Sequence, residues 1–419
     1  MDFVDASYLT AVSLAGCCAR ALVRGLPDNW RLRLQATLPE QRPGWIWVQA
    51  VSVGELLLAE GILGRLRAAG QRIHVTTGTG AGLELLRARL PGWDQGSGRV
   101  TGGAFPLDDG PGLAPFLRQP PAAFIALETE IWPNLLRVLA ERAIPVAIVN
   151  GRLTERSLGR GRAWMQRAAG RLSLVAARDE ASAEAFRRLG APRVVLGGNL
   201  KADLPAPRPL HAGWDALRTA WSGCPVLVAG NTVDGEEELI LDVWRLVRAA
   251  LPDLRLVLAP RQPRRFQLVA DLLRGSGAAF RRGSEGWPDG PEPWRRTDIL
   301  LLDTLGELAA AYGEGSLALV GGGWAWGGGH NPLEPVRWGL PTLLGPGFAN
   351  FSDLVQPLLA AGLVRVVPAG ELAAQVRAGL EQGALRPGAR ADMVHLPEGL
   401  SGTLEKTWEF ISKIIPEAK

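Results

Sequence analysis

From Gly44 onward, short apolar runs alternate with stretches of helical spacing, and no other feature constrains the fold of this chain as strongly. The runs "WIWVQAV" (45–51), "RIHVTT" (72–77), "AAFIALE" (122–128), "IPVAIVN" (144–150), "LSLVAAR" (172–178) and "RVVLGGN" (193–199) read as buried strands. Between them lie helical patterns such as "ELLLAEGILGRLRAAG" and "NLLRVLAERA". This βαβα order predicts a parallel sheet with helices on both faces.

The rhythm breaks at "KADLPAPRPLHAG" (201–213), whose prolines read as an interdomain linker. It then restarts with "CPVLVAGN" (224–231), "LRLVLAPR" (254–261), "DILLLDT" (298–304), "SLALVGG" (316–322) and "PTLLGP" (341–346). The Gly/Pro-rich "RRGSEGWPDGPEPWRRT" (281–297) reads as an exposed loop. Two similar α/β halves joined near residue 205 are therefore expected. Ligands of such sheets bind at the carboxyl ends of strands, so two halves facing each other create a cleft.

Composition narrows the class. With 47% hydrophobic residues and a net charge of +4, the chain is globular, and its basic residues are mostly arginine, which suits phosphates and carboxylates. Cys17, Cys18 and Cys224 form no metal-spaced set, and four histidines are too few and scattered for a His-rich metal site. The segment "SYLTAVSLAGCCARALVRGLP" carries an apolar stretch of about 15 residues, short of the roughly 20 that span a bilayer. Asp2 and Asp5 replace the basic start of a signal peptide. A helix lying on a membrane surface fits this pattern, and so does a packing helix.

Several unusual residues follow strand ends. In "AVSVGE", Glu55 sits at a helix start, where it can act as a general base for a hydroxyl or only complement the helix dipole. In "ALETEIWPN", strand alternation would put Glu128 and Glu130 on one face, and carboxylates at a buried strand end need partners or a task. Lys201 in "GGNLKAD" is either solvated or set to pair with an acid or a ligand's negative charge. "AGNTVDGEEE" opens a helix as phosphate-binding turns do, yet its acidic run would repel an anion. Arg261, in "APRQPRRF", lies at a strand end where a guanidinium can take a phosphate bidentately. "GTGAG" (78–82) lacks the spacing of a dinucleotide fingerprint. In "LVGGGWAWGGGHNPLEP" (319–335) the glycines would let the backbone pass close to a nucleotide with N–H groups exposed, with Pro332 in the first turn of the next helix. Residue chemistry alone indicates an acidic acceptor half and a glycine-and-arginine half for a phosphorylated donor.

Taken in order, "AVSVGE", "LETEIWPN", "VNGRLTERS", "GNLK", "GNTVDGEEE", "PRQPRRF", "DTLGELAAAYG", "GGGHNPLEP" and "GPGFANF" closely resemble the 3-deoxy-D-manno-octulosonic acid (Kdo) transferases of lipopolysaccharide synthesis. The resemblance runs from Trp45 to Phe351. It implies a GT-B fold: two Rossmann-like parallel-sheet domains facing a central cleft, with an N-terminal membrane-associated helix. The domains expected are that helix (1–27), an acceptor domain (28–204), a CMP-sugar donor domain (205–400) and a C-terminal helix (401–419) able to pack back on the acceptor domain.

The activity implied is inverting transfer of Kdo from CMP-Kdo to the lipid A precursor lipid IVA. It would take place at the cytoplasmic face of the inner membrane, with no cofactor, no bound metal and no nucleic-acid partner. Matched by motif, Glu55 is the proton acceptor, and Glu128 and Lys201 stabilise the transition state. Pro260, Arg261, Leu305, Gly306, Glu307, Asn331, Pro332, Leu333 and Glu334 match CMP-binding positions. The family usually has a histidine before the "SVGE" motif, where this chain has Gln49 and Ala50. Alternatives are a GT-B transferase using a related CMP- or UDP-sugar on another lipid acceptor, and a non-catalytic membrane protein that binds nucleotide sugars.

Overall fold

The inner strands of this protein are covered on both faces and are mostly apolar for that reason, with His74 and Thr76 of one strand buried as exceptions. A computed structural model describes residues 3–22, 25–36, 44–153, 162–203, 210–382, 396–397 and 400–417. The chain separates into two compact units, Met1–Leu204 together with Gly399–Lys419, and Pro205–Glu398. Residues 204–209 of the proline-rich stretch and residues 154–157 of the "VNGRLTERS" motif lie outside the described residues.

The first unit holds strands β1 (Ile46–Gln49), β2 (Ile73–Thr77), β3 (Val100–Ala104), β4 (Ala123–Leu127), β5 (Val146–Gly151), β6 (Leu174–Ala177) and β7 (Val194–Leu196). All pairings are parallel, in the order β3-β2-β1-β4-β5-β6-β7. Alternation sends Trp45 and Trp47 into one core layer and Ile46 and Val48 into the other. Trp47 stacks on Phe116 with ring centroids 4.7 Å apart, and its indole N–H donates to Thr76 at 2.8 Å. Ser52, Thr79, Asp109 and Asp179 cap the helices that follow β1, β2, β3 and β6.

Two flanking helices complete this unit. Phe3–Ala21 is tied down on one side, where Tyr8 donates to Asp108 (2.9 Å), Arg20 grips Asp109 with two bonds (2.6 and 2.9 Å) and Trp164 donates to Ser7 (3.0 Å). At the other end of the chain, Asp203 accepts from the Gly402 and Leu404 N–H groups and the Thr403 hydroxyl. That cap starts the Thr403–Ser412 helix, whose Ile411 is buried in the first unit's core.

The second unit repeats the plan with β8 (Val226–Thr232), β9 (Arg255–Pro260), β10 (Phe280–Arg282), β11 (Ile299–Leu301), β12 (Leu317–Val320), β13 (Thr342–Leu344) and β14 (Val364–Val366). Their order is β10-β11-β9-β8-β12-β13-β14, again parallel. Both orders reverse direction once, between β1 and β4 and between β8 and β12. A ligand crevice forms at such switch points, beyond the strands' carboxyl ends.

Three strands escape the sequence pattern. β3, β10 and β14 are all sheet edges, shorter on apolar residues because one side is open. The stretch 281–297 is not simply an exposed loop. It contains the end of β10 and a short helix, Glu292–Arg295, and Trp294 is fully buried. Trp287 bridges Trp214 and Trp294 at 4.9 and 5.0 Å, and the Trp294 carbonyl accepts from Trp221 at 3.0 Å. An aromatic cluster hidden among prolines and glycines has no periodicity to betray it.

Candidate active site

In the first unit the acidic residues gather at the β1/β4 switch point. Ser52 caps the Val53–Ala68 helix, accepting from the Glu55 N–H. Glu55 turns back over that cap: its carboxylate accepts from the Val51 N–H at 2.7 Å and from the Ser52 hydroxyl at 3.1 Å. Burial pushes the Glu55 pKa up to about 7 against the pull of these bonds, and the negative charges of Glu128 and Glu130 add to the rise. A carboxyl poised there can take a proton at neutral pH.

β4 ends at Leu127, and Glu128 takes φ +58°, in the left-handed region that side chains avoid. The simple alternation expected of Glu128 and Glu130 is broken at that point. Both still bear on Glu55, whose pKa their charges help to raise. Glu130 is drawn inward, accepting from the Trp132 indole N–H at 2.8 Å and the Gln49 amide at 3.3 Å. Burial raises its pKa, and these bonds oppose the rise.

Gln49 accepts from Thr76 at 2.6 Å while donating to Glu130. It relays a fixed hydrogen bond outward without titrating. Arg33 lies over the Trp132 ring at 4.2 Å and donates to the Pro106 carbonyl, adding a half-buried positive charge near Glu130. The sequence marked Gln49 only as a departure from the family pattern and gave no sign of Arg33, whose place beside Trp132 and Glu130 depends on the fold.

Lys201 lies in the turn Leu200–Asp203, held where Asn150, at the end of β5, accepts from the Leu200 N–H at 2.9 Å. Asn150 also has a positive φ, +52°. The next strand inward supplies Glu128, whose N–H donates to the Val149 carbonyl at 3.0 Å. Glu55, Glu128 and Lys201 thus share the carboxyl edge of one sheet.

In the second unit, Glu236 and Glu237 of the acidic run after β8 turn inward, while Asp234 lines a pocket and accepts from Arg265 at 2.5 Å. Glu236 is fully buried and accepts from the N–H groups of Gly322 (2.9 and 2.7 Å), Trp324 (2.9 Å), Ala325 (3.3 Å) and Val233 (3.2 Å). Glu237 accepts from Arg265 at 2.9 Å and Thr232 at 3.0 Å. Two expectations are corrected here. Glu236 and Glu237 are spent on protein donors, and the N–H groups of Gly322, Trp324 and Ala325 are not exposed to a nucleotide.

The glycines of 321–329 instead permit backbone to lie on backbone. A Cβ on Gly323 would sit 2.9 Å from Gly345, and one on Gly347 only 2.2 Å from Gly327. The Gly347 and Asn350 N–H groups donate to the Gly323 and Gly328 carbonyls, joining the "GPGFANF" segment to the loop. Trp324 packs on the core and donates to the Val367 carbonyl at 2.9 Å. Trp326 is exposed, its ring 5.6 Å from that of His330.

These two aromatics line a pocket of about 960 Å³ together with Arg261, Gln262, Arg264 and Arg265. Arg261 follows Pro260, the last residue of β9, and its N–H donates to the Thr232 carbonyl. Leu305–Glu307 and Asn331–Glu334 lie outside the lining of that pocket. Leu305 is 78% exposed, Gly306 has φ +89°, and Glu307 accepts from the Trp214 indole N–H at 3.2 Å. Asn331 accepts from the Leu333 N–H at 3.2 Å, and the helix it opens, with Pro332 as its cap, runs only from Leu333 to Arg337. Glu334 lies near enough to the buried Tyr312 to help raise its pKa, after burial itself. Among the described residues, no group of three or more His, Cys, Asp or Glu is placed to hold a metal ion.

Residues 28–204 match a family model described as 3-deoxy-D-manno-octulosonic-acid transferase (kdotransferase). A 3-deoxy-D-manno-octulosonic acid transferase of Haemophilus influenzae is 36% identical over 327 residues, covering 76% of this chain and 74% of that protein. One from Bordetella pertussis is 32% identical over 348 residues, covering 80% and 79%. In fold, the chain is similar to the UDP-GlcNAc 2-epimerase of Neisseria meningitidis, solved bound to UDP-GlcNAc. The TM-score is 0.55 at 13% identity, over 88% of this chain and 99% of that one. Two parallel seven-stranded sheets, each covered by helices, are the GT-B type of α/β fold.

Proposed function

The chain belongs to the 3-deoxy-D-manno-octulosonic acid transferase family, and we propose that it is a glycosyltransferase moving Kdo from CMP-Kdo to a lipid A precursor in lipopolysaccharide biosynthesis. The observation that carries the catalytic reading is the Glu55 carboxyl, half-buried at a switch point with its pKa pushed up to about 7. In the proposed reaction, the acceptor hydroxyl oxygen bonds to the anomeric carbon of Kdo and its proton passes to Glu55. The bond from that carbon to the phosphate oxygen breaks, and its electron pair leaves with CMP. Attack opposite the leaving group inverts the anomeric centre.

Glu128 and Lys201 bear on the charge that develops at the sugar, and Arg261 on the charge that develops at the departing phosphate. With a guanidinium in that role the proposed step needs no metal, and enzyme treated with EDTA should keep its rate. Leu305–Glu307 and Asn331–Glu334 would hold the rest of the nucleotide.

The acceptor, lipid IVA, places the reaction at the cytoplasmic face of the inner membrane in this reading. What supports a membrane role is the outward side of the Phe3–Ala21 helix and the turn after it: Ala11, Leu14, Ala15, Cys18 and Leu22 are exposed, Leu14 and Leu22 each 66% so. No helix among the described residues is long and apolar enough to cross a membrane. The helix would lie in the interface with its docked side on the protein.

Mass spectrometry of a tetraacylated lipid A precursor after incubation with CMP-Kdo tests the proposal. The product should gain the mass of Kdo, and an unchanged acceptor would sink the assignment.

A further inference from the structure

Glu236 is a buried carboxylate whose partners are almost all main chain of one distant loop. Burying such a charge costs several kcal/mol unless donors surround it. Here they are the N–H groups of Gly322, Trp324 and Ala325, 86 to 89 residues away in sequence, together with that of Val233. The dependence is mutual, because without the carboxylate those three loop N–H groups lose their acceptor. The fit is close: a Cβ on Gly321 would lie 2.7 Å from a Glu236 oxygen and 2.5 Å from the Asn231 carbonyl. Asn231 itself holds φ +56°. On its other side, the loop gives its Gly323 and Gly328 carbonyls to the 347–350 segment.

The loop is therefore pinned through its N–H groups by one side chain, and it carries Trp326 and His330 into the arginine-lined pocket before running on to Asn331. We infer that Glu236 is the positioning residue of the donor site, fixing the glycine loop in the shape that receives the nucleotide sugar. The inference rests on the donor reading above. Glu236 touches no substrate; it acts through the loop.

The test uses the full chain with Glu236→Gln, which keeps the size of the side chain but turns one acceptor into an N–H donor facing N–H groups. CMP affinity by calorimetry should weaken by about tenfold, and the KM for CMP-Kdo should rise by about as much while kcat stays within about threefold. Amide exchange at Gly322, Trp324 and Ala325 should accelerate by about a hundredfold, with the strands of both sheets unchanged. Glu236→Asp, which keeps the charge but withdraws it by one methylene, should show the same loss and replaces the glutamine variant if that fails to fold. Unchanged loop exchange would overturn the inference, and so would fast exchange with undiminished CMP affinity. If the unaltered protein does not bind CMP, the donor reading fails and takes the inference with it.

Discussion

Glu55 makes a prediction that follows from its surroundings. A base must be unprotonated to work, so transfer should rise with pH through about 7 and then level off. Glu55→Gln should flatten that profile and lower the rate by on the order of 10²- to 10⁴-fold. Stability moves the other way. The native carboxyl titrates at about 7 and the unfolded one near its ordinary 4.5, so between these values the native state holds the extra proton. The stability this contributes is full below the lower value and is lost as pH rises to the upper one. Urea midpoints at pH 5 and pH 8 should differ less in Glu55→Gln than in the unaltered protein. Glu128, Asn150 and Asn231 share a second trait: each has a positive φ at or just past a strand end, on the carboxyl edge of its sheet. Strain of roughly 1–3 kcal/mol per residue is tolerated where the surroundings over-determine the backbone, as functional edges do.

At the scale of elements, every inner strand could be read, whereas of the four edges only β7 could. β1, β4, β5, β8 and β9 announce themselves as apolar runs because both their faces are covered. β3, with two glycines, and β10, with two arginines, lack that pressure. The segment around Trp294 is the other illegible element, and Trp294→Ala should cost about 3–5 kcal/mol, read as a lower denaturant midpoint. The Phe3–Ala21 helix gives a prediction of the opposite kind. Glu at both Leu14 and Leu22 should leave the thermal transition in place, since both side chains are already exposed. Sedimentation with anionic vesicles should fall sharply, and unchanged sedimentation would remove the membrane role assigned to this helix.

At the scale of the whole molecule, two sheets with separate cores should not melt as one. Calorimetry should show a thermogram that a single two-state transition cannot fit. CMP at about 100 times its Kd should stabilise the unit built on Pro205–Glu398 by about 2.7 kcal/mol, and Met1–Leu204 much less. Equal shifts in both would place the nucleotide elsewhere.

The architecture was legible from consecutive residues, because alternation of apolar runs with helical spacing admits little besides two doubly wound sheets. The sequence also located Glu55, Glu128, Lys201 and Arg261 at strand ends, since strand ends are local features. The tertiary structure alone decided what the charges do. Glu236 and Glu237 look like an acidic run until the fold brings one to the Gly322–Ala325 backbone and the other to Arg265. The glycines of 321–329 look like slack until Gly345 and Gly347 press against them. Likewise, a pKa of about 7 for Glu55 depends on burial and on two carboxylates more than seventy positions along the chain. Hydrophobic periodicity is written in consecutive residues, whereas electrostatics and close packing depend on distances that only folding creates.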